Sequence, residues 1–170
     1  AGRLDAAGQA YAAFLELEPQ HAQALRLYGV LRREQGDAEG ALSLLQQARA
    51  AAPEDAEAAA ELGLCHLAAG ELLPAERVLR TAVALAPGHA RALANLGALL
   101  QYRGHVDAAI DCHRRVLALD PDDIEVRCNL INTLLEAGRG DEALAECDAA
   151  LKGWPGRALL LVARGAVLTG

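Results

Sequence analysis

Residues 90–121 read ARALANLGALLQYRGHVDAAIDCHRRVLALDP, and their spacing specifies a helical hairpin. Leu93, Leu96, Gly97 and Leu100 fall at i, i+3, i+4 and i+7, which puts them on one stripe of a first helix. Ala109, His113, Val116 and Leu117 repeat that stripe on a second helix. Gly104 stands between them, where a left-handed C-cap is least costly for a residue without a Cβ. Pro121 ends the segment, because proline cannot continue the second helix and disfavours helical geometry in the residue before it.

The pattern extends in both directions at one period. Pro19, Pro53, Pro87, Pro121 and Pro155 lie 34 residues apart, and Gly2, Gly36, Gly70, Gly104 and Gly138 keep the same interval. So do Ala7, Ala41, Ala75, Ala109 and Ala143. Three residue types with different physical roles hold one period without an insertion, so the chain is read as a single line of stacked hairpins. First helices are predicted near 22–35, 56–69, 90–103, 124–137 and 158–169, and second helices near 3–17, 38–51, 72–85, 106–119 and 140–153. Pro74 falls in the first turn of its helix, where the missing N–H has no intrahelical partner anyway. Glycine in a helix costs about 1 kcal/mol against alanine. Its recurrence at Gly29, Gly63, Gly97 and Gly165 therefore marks places where two helices nearly touch.

The expected fold is all-α, one array over residues 1–170. It comprises a partial repeat at 1–21 (second helix only), full repeats at 22–55, 56–89, 90–123 and 124–157, and a partial repeat at 158–170 (first helix only). A terminal solenoid repeat normally carries a polar outer face. The last helix instead contains Ala158, Leu159, Leu160, Leu161, Val162, Ala166, Val167 and Leu168, which reads as a fragment of a longer protein or as an end that something covers.

This register resembles the tetratricopeptide repeat family, whose signature runs W-x2-L-G-x2-Y, then A-x3-F, then P. Leu93, Leu96, Gly97 and Leu100 fall on its first part, and Ala109, His113 and Pro121 on its second. Ala59, Leu62, Gly63, His66, Ala75, Leu79 and Pro87 do the same one unit earlier, and Leu25, Tyr28, Gly29, Arg32, Ala41, Leu45 and Pro53 one before that. The likeness covers nearly the whole chain. It implies a right-handed α-solenoid of antiparallel hairpins whose first helices line a concave inner wall, and a function in holding a peptide or a partner helix there.

Composition narrows the function classes. About half of the 170 residues are apolar but only 3% are aromatic, so alanine and leucine carry the packing. A net charge of −7 without a basic stripe argues against general nucleic-acid binding. Lys152 is the one lysine among sixteen basic residues, a bias suggesting a GC-rich, bacterial source. Cys65, Cys112, Cys128 and Cys147 form no C-x-x-C pair, and free thiols in a reducing, cytoplasmic compartment are expected. No run approaches the roughly twenty apolar residues that span a bilayer, so no membrane partner is expected.

Catalytic chemistry finds little support. The only serine is Ser43, no G-x-S-x-G elbow occurs, and neither a Walker loop nor G-x-G-x-x-G is present. Cys65-His66 and Cys112-His113 invite a metal reading. Adjacent helical residues point about 100° apart, however, so packing is the expected role. Glu54-Asp55 and Asp122-Asp123 precede first helices, where carboxylates favour the positive dipole end, and are read as caps. The expectation is no catalytic residue, no metal and no cofactor.

Function then rests on the inner wall that the resemblance implies. The candidate groove residues are Arg26, Arg33, Glu61, Arg91, Asn95, Tyr102, Asn129 and Asn132. Asn95 and Asn129 hold equivalent positions in successive units, and Asn132 lies one turn further. Amides can donate to and accept from a peptide backbone, and the repeats of the O-linked N-acetylglucosamine transferase family look similar here. Chaperone-binding relatives grip a C-terminal carboxylate with a basic and asparagine set. Arg26 and Arg91 fit that set, but Val30, Glu61 and Asn95 do not, so acidic chaperone tails are not expected ligands. The partner expected is a protein or peptide. Two alternatives are a substrate-recruiting arm of a larger glycosyltransferase, oxygenase or sulfotransferase, and end-to-end self-association through the last helix.

Overall fold

The computed structural model describes residues 2–156 and 158–169. Among them the helices are α1 (Gly2–Leu17), α2 (Ala22–Glu34), α3 (Ala38–Ala51), α4 (Ala56–Ala68), α5 (Leu72–Leu85), α6 (Ala90–Tyr102), α7 (Val106–Leu119), α8 (Ile124–Glu136), α9 (Gly140–Gly153) and α10 (Ala158–Thr169). No strand occurs among the described residues. Even-numbered helices are the first helices of the period and odd-numbered ones the second. The starts agree with the sequence reading to within one residue. First helices α2, α4 and α8 stop one residue sooner than expected, because Gln35, Ala69 and Ala137 act as C-caps.

Each turn from a first to a second helix has one cause. Gly36, Gly70, Gly104 and Gly138 all have positive φ, between 71° and 83°. That geometry lets Gly36 N–H donate to the Arg33 carbonyl at 3.0 Å and Asp37 N–H to the Arg32 carbonyl at 2.9 Å, which satisfies two otherwise unpaired helix-end carbonyls. The paired bonds recur at Gly70 and Glu71, at Gly104 and His105, and at Gly138 and Arg139. The five periodic prolines sit in the turns that follow second helices.

The chain forms two compact units, Ala1–Ala92 and Leu93–Gly170. In the first, α2 packs on α3 and α4 on α5, with α1 against α2 and α3 against α4. A Cβ at Gly29 would lie 2.8 Å from Leu45 Cγ and 3.3 Å from the Ala41 carbonyl oxygen; one at Gly63 would lie 2.7 Å from Leu79 Cγ. Glycine thus lets the first helix of a hairpin close onto a leucine of the second. In the second unit α8 packs against α7 and α9, and α10 against α9 and α8. There Gly97 admits the His113 ring, with 2.8 Å from its would-be Cβ to Cε1. In the next hairpin Ile131 replaces the glycine and Cys147 the bulky partner, and both are fully buried in one cluster with Leu130, Leu134 and Leu160.

Asp55 and Asp123 cap α4 and α8, accepting from Ala58 N–H at 3.1 Å and Val126 N–H at 2.9 Å. The equivalent caps on α2 and α6 are histidines, which the sequence pattern does not announce. His21 Nδ1 accepts from Ala24 N–H at 3.1 Å and His89 Nδ1 from Ala92 N–H at 3.2 Å. On α10, Leu160 is buried whereas Leu161, Val162 and Leu168 are exposed. The side chains of Leu159 and Ala166 lie outside the described residues.

Candidate protein-interaction surface

The eight expected groove residues divide between the two units, and their surroundings differ. In residues 1–92, Arg33 on α2 and Arg91 on α6 converge on Glu61 of α4. Arg33 Nη2 donates to Glu61 Oε2 at 3.2 Å, and Arg91 Nη2 pairs with Oε1. Glu61 is only 3% exposed. A carboxylate so enclosed must be paired, and two guanidiniums from neighbouring first helices do it. Arg91 also donates to Glu57 Oε2 at 3.0 Å, while His89 Nε2 stands 3.1 Å from Glu57 Oε1. Arg26 is separate, with its Nε 3.4 Å from Asp55 Oδ2. These candidate residues therefore hold carboxylates of their own chain.

In residues 93–170 the candidate residues are amides and one tyrosine rather than ion-paired charges. Asn95 on α6 and Asn129 on α8 are half-buried, and Asn132 is exposed. Among the described residues no hydrogen bond engages any of the three side-chain amides. Gln101 Nε2 donates to Glu136 Oε1 at 2.8 Å, linking the same two first helices, and Tyr102 is 78% exposed at the end of α6.

Two features of the structure lie outside the sequence expectations. One is the pairing of Arg91 with Glu57, whose signal is opposite charge at the same position of successive units. The other is an apolar cavity of about 350 Å3 beside α1 and α2, lined by Tyr11, Phe14, His21 and Leu27 among others. Tyr11 stacks on Tyr28 at 5.9 Å, and Phe14 meets His21 edge-on at 5.1 Å. Its signal is the gathering of aromatics within the first thirty residues of an aromatic-poor chain.

None of the four cysteines is in a disulfide, and all are buried. Burial pushes the Cys65, Cys128 and Cys147 thiols up, with Arg33 pulling Cys65 the other way. A nucleophilic cysteine needs the opposite shift. His66 Nδ1 lies 2.6 Å from Glu71 Oε2, and His113 is fully buried with neither ring nitrogen partnered. Among the described residues no three His, Cys, Asp or Glu side chains converge on a metal position, and no helix is long and apolar enough to cross a membrane.

Sequence profiles described as tetratricopeptide repeat match residues 1–46, 32–100 and 100–164. No curated protein sequence matches the chain. Among solved structures, MamA protein is 26% identical, over 89% of this chain and 82% of that one, with a TM-score of 0.80. A thermophilic repeat protein of Thermus thermophilus is 28% identical over 99% and 92%, with a TM-score of 0.67. YrrB, described as a TPR protein with an unusual peptide-binding site, shares the fold at 24% identity over 96% and 84%, with a TM-score of 0.81.

Proposed function

The chain belongs to the tetratricopeptide repeat family, and on that premise we propose that it is a non-catalytic scaffold that holds an extended protein segment on the first-helix face of residues 93–170. The observation that carries this reading is the pair of half-buried, unengaged amides of Asn95 and Asn129 at equivalent positions of neighbouring first helices. Each amide offers one acceptor and two donors, which match the N–H and C=O of an extended backbone. Asn132 and Tyr102 extend the contact along α8 and at the end of α6. Selectivity for side chains is accordingly low.

Arg26, Arg33, Glu61 and Arg91 serve by tying α2, α4 and α6 together rather than by gripping the segment, since each basic group already faces a carboxylate. For the same reason acidic C-terminal tails are poor ligands. Buried free thiols suit a reducing, cytoplasmic setting. End-to-end self-association is a second reading, supported by the exposed Leu161, Val162 and Leu168 of α10, and a mass that rises with concentration is its test.

The test of the leading reading is calorimetry with a panel of unrelated neutral and acidic-tailed extended peptides. Asn95→Ala with Asn129→Ala should weaken every neutral peptide about tenfold or more, at roughly 1 kcal/mol per lost hydrogen bond, with the helical circular dichroism unchanged. Equal affinity in the double variant removes the amide ladder. Tight binding of an acidic tail removes the account of the arginines.

A further inference from the structure

We propose that His113 makes the α6–α7 hairpin acid-sensitive: one proton taken up by its fully enclosed, unpartnered ring loosens the helix contact at Gly97 and with it the face that carries Asn95. The first half stands on the structure of the hairpin alone. The consequence for Asn95 rests on the binding surface proposed above.

The repeat lattice shows what is unusual. At the position of His113, the two preceding units carry Leu45 and Leu79, each fully buried against a glycine of its own first helix. His113 is equally buried, and a Cβ at Gly97 would lie 2.8 Å from its Cε1 and 2.9 Å from its Nδ1. The imidazole thus fills a leucine-shaped site with no space for water on the Gly97 side. Neither Nδ1 nor Nε2 has a hydrogen-bond partner. A neutral ring tolerates that site at the cost of unmade hydrogen bonds, but an imidazolium, with two N–H donors and a full charge, does not.

Among the described residues no charged group offsets the burial of the ring. On α6 the flanking inward residues Leu93, Leu96 and Leu100 are apolar, and the titratable Tyr102 is exposed. On α7 itself Arg114 pairs with Glu142, Arg115 with Asp111, and Asp107 with Arg139. On α8 Arg127 pairs with Glu146, while Glu125 and Glu136 are exposed near the helix ends and Cys128 is a buried thiol. Burial alone therefore depresses the His113 pKa below its ordinary 6.5.

The direction of the pH effect follows. Because the folded-state pKa is the lower one, the opened hairpin binds the proton more readily throughout the window between that value and 6.5. Stability is complete above about pH 6.5 and declines as the pH falls through the window, by roughly tenfold in the unfolding constant per pH unit for one proton. Protonation needs only a proton from solvent, and the step reverses when the pH is restored.

The experiment compares urea unfolding of the chain and of His113→Leu, which restores the residue of the two preceding units, from about pH 5 to about pH 8. His21, His66, His89 and His105 are present in both, so the difference between the curves isolates His113. The expected result is that the two diverge below about pH 6.5 by up to roughly tenfold per unit, with the variant the more stable in acid. Parallel curves overturn the proposal. On the unaltered chain, the His113 ring resonance should titrate below its ordinary 6.5, and amides of α6 and α7 should lose exchange protection on acidification sooner than those of α2 and α3. A ring titrating near its ordinary 6.5 in the folded chain, or uniform protection, overturns it even if the variant fails to fold. None of these readouts involves a peptide, so absence of peptide binding would sink the proposed function and leave this inference standing.

Discussion

At the scale of the residue, a glycine's neighbours decide what a methyl group does. Gly29→Ala drives a Cβ to 2.8 Å from Leu45 Cγ and 3.3 Å from a backbone oxygen that cannot swing away. It should lower the unfolding free energy by about 1–3 kcal/mol in denaturant titration. Gly165→Ala, at the same place in the period, meets nothing within 4 Å. It should be neutral or stabilising by up to about 1 kcal/mol through helix propensity. The period identifies both glycines but does not distinguish them, because the distinction lies in a neighbouring side chain. The same holds for His113, whose core position is legible in the sequence while its two unsatisfied nitrogens are not. Glu142 illustrates exposed chemistry. Hydrogen bonds from Arg139 and Arg114 hold its carboxyl at about 2. Its contribution to stability should therefore be complete above its ordinary 4.5 and lost on acidification toward about 2, as a Glu142→Gln comparison of acid unfolding will report.

At the scale of the element, helix ends are more legible than their chemistry. The glycines and prolines mark every hairpin turn, because each residue type performs a backbone task that few others perform. Aspartate caps are legible for the same reason. Asp55→Ala should destabilise by about 0.5–2 kcal/mol in thermal or urea unfolding, through loss of the bond to Ala58 N–H. The His21 and His89 caps are not legible, since an imidazole serves only when its Nδ1 is unprotonated and turned toward the helix. The first helices end one residue early because Gln35, Ala69 and Ala137 keep near-helical backbone angles while already acting as caps. Sequence pattern does not separate those two conditions.

At the scale of the whole chain, the repeat determines which residues are equivalent but not which of them meet. The period makes Arg33, Glu61 and Arg91 groove candidates, yet they face one another across α2, α4 and α6. Glu61→Gln should weaken the first unit by about 1–2 kcal/mol, less than the roughly 3–5 kcal/mol of a fully buried pair, because both arginines reach solvent and are partly screened. Added salt should shrink the difference between the two proteins; a salt-independent difference would assign the loss to packing instead. Asn95 and Asn129, selected by the same pattern, have no side-chain hydrogen bond among the described residues, so one period yields ion-paired candidates in one unit and unpaired amides in the other.

The exchange of glycine plus leucine in two hairpins for isoleucine plus cysteine in a third has a consequence for how such a chain reaches its native state. Repeats this alike risk mispairing, with a helix from one unit settling onto its neighbour's partner. Ile131 has no room opposite Leu79, and Gly63 opposite Cys147 would leave a void. The volumes would disfavour exchange between the α4–α5 and α8–α9 hairpins, whereas α2–α3 and α4–α5, which share the glycine–leucine pair, would not be told apart by them.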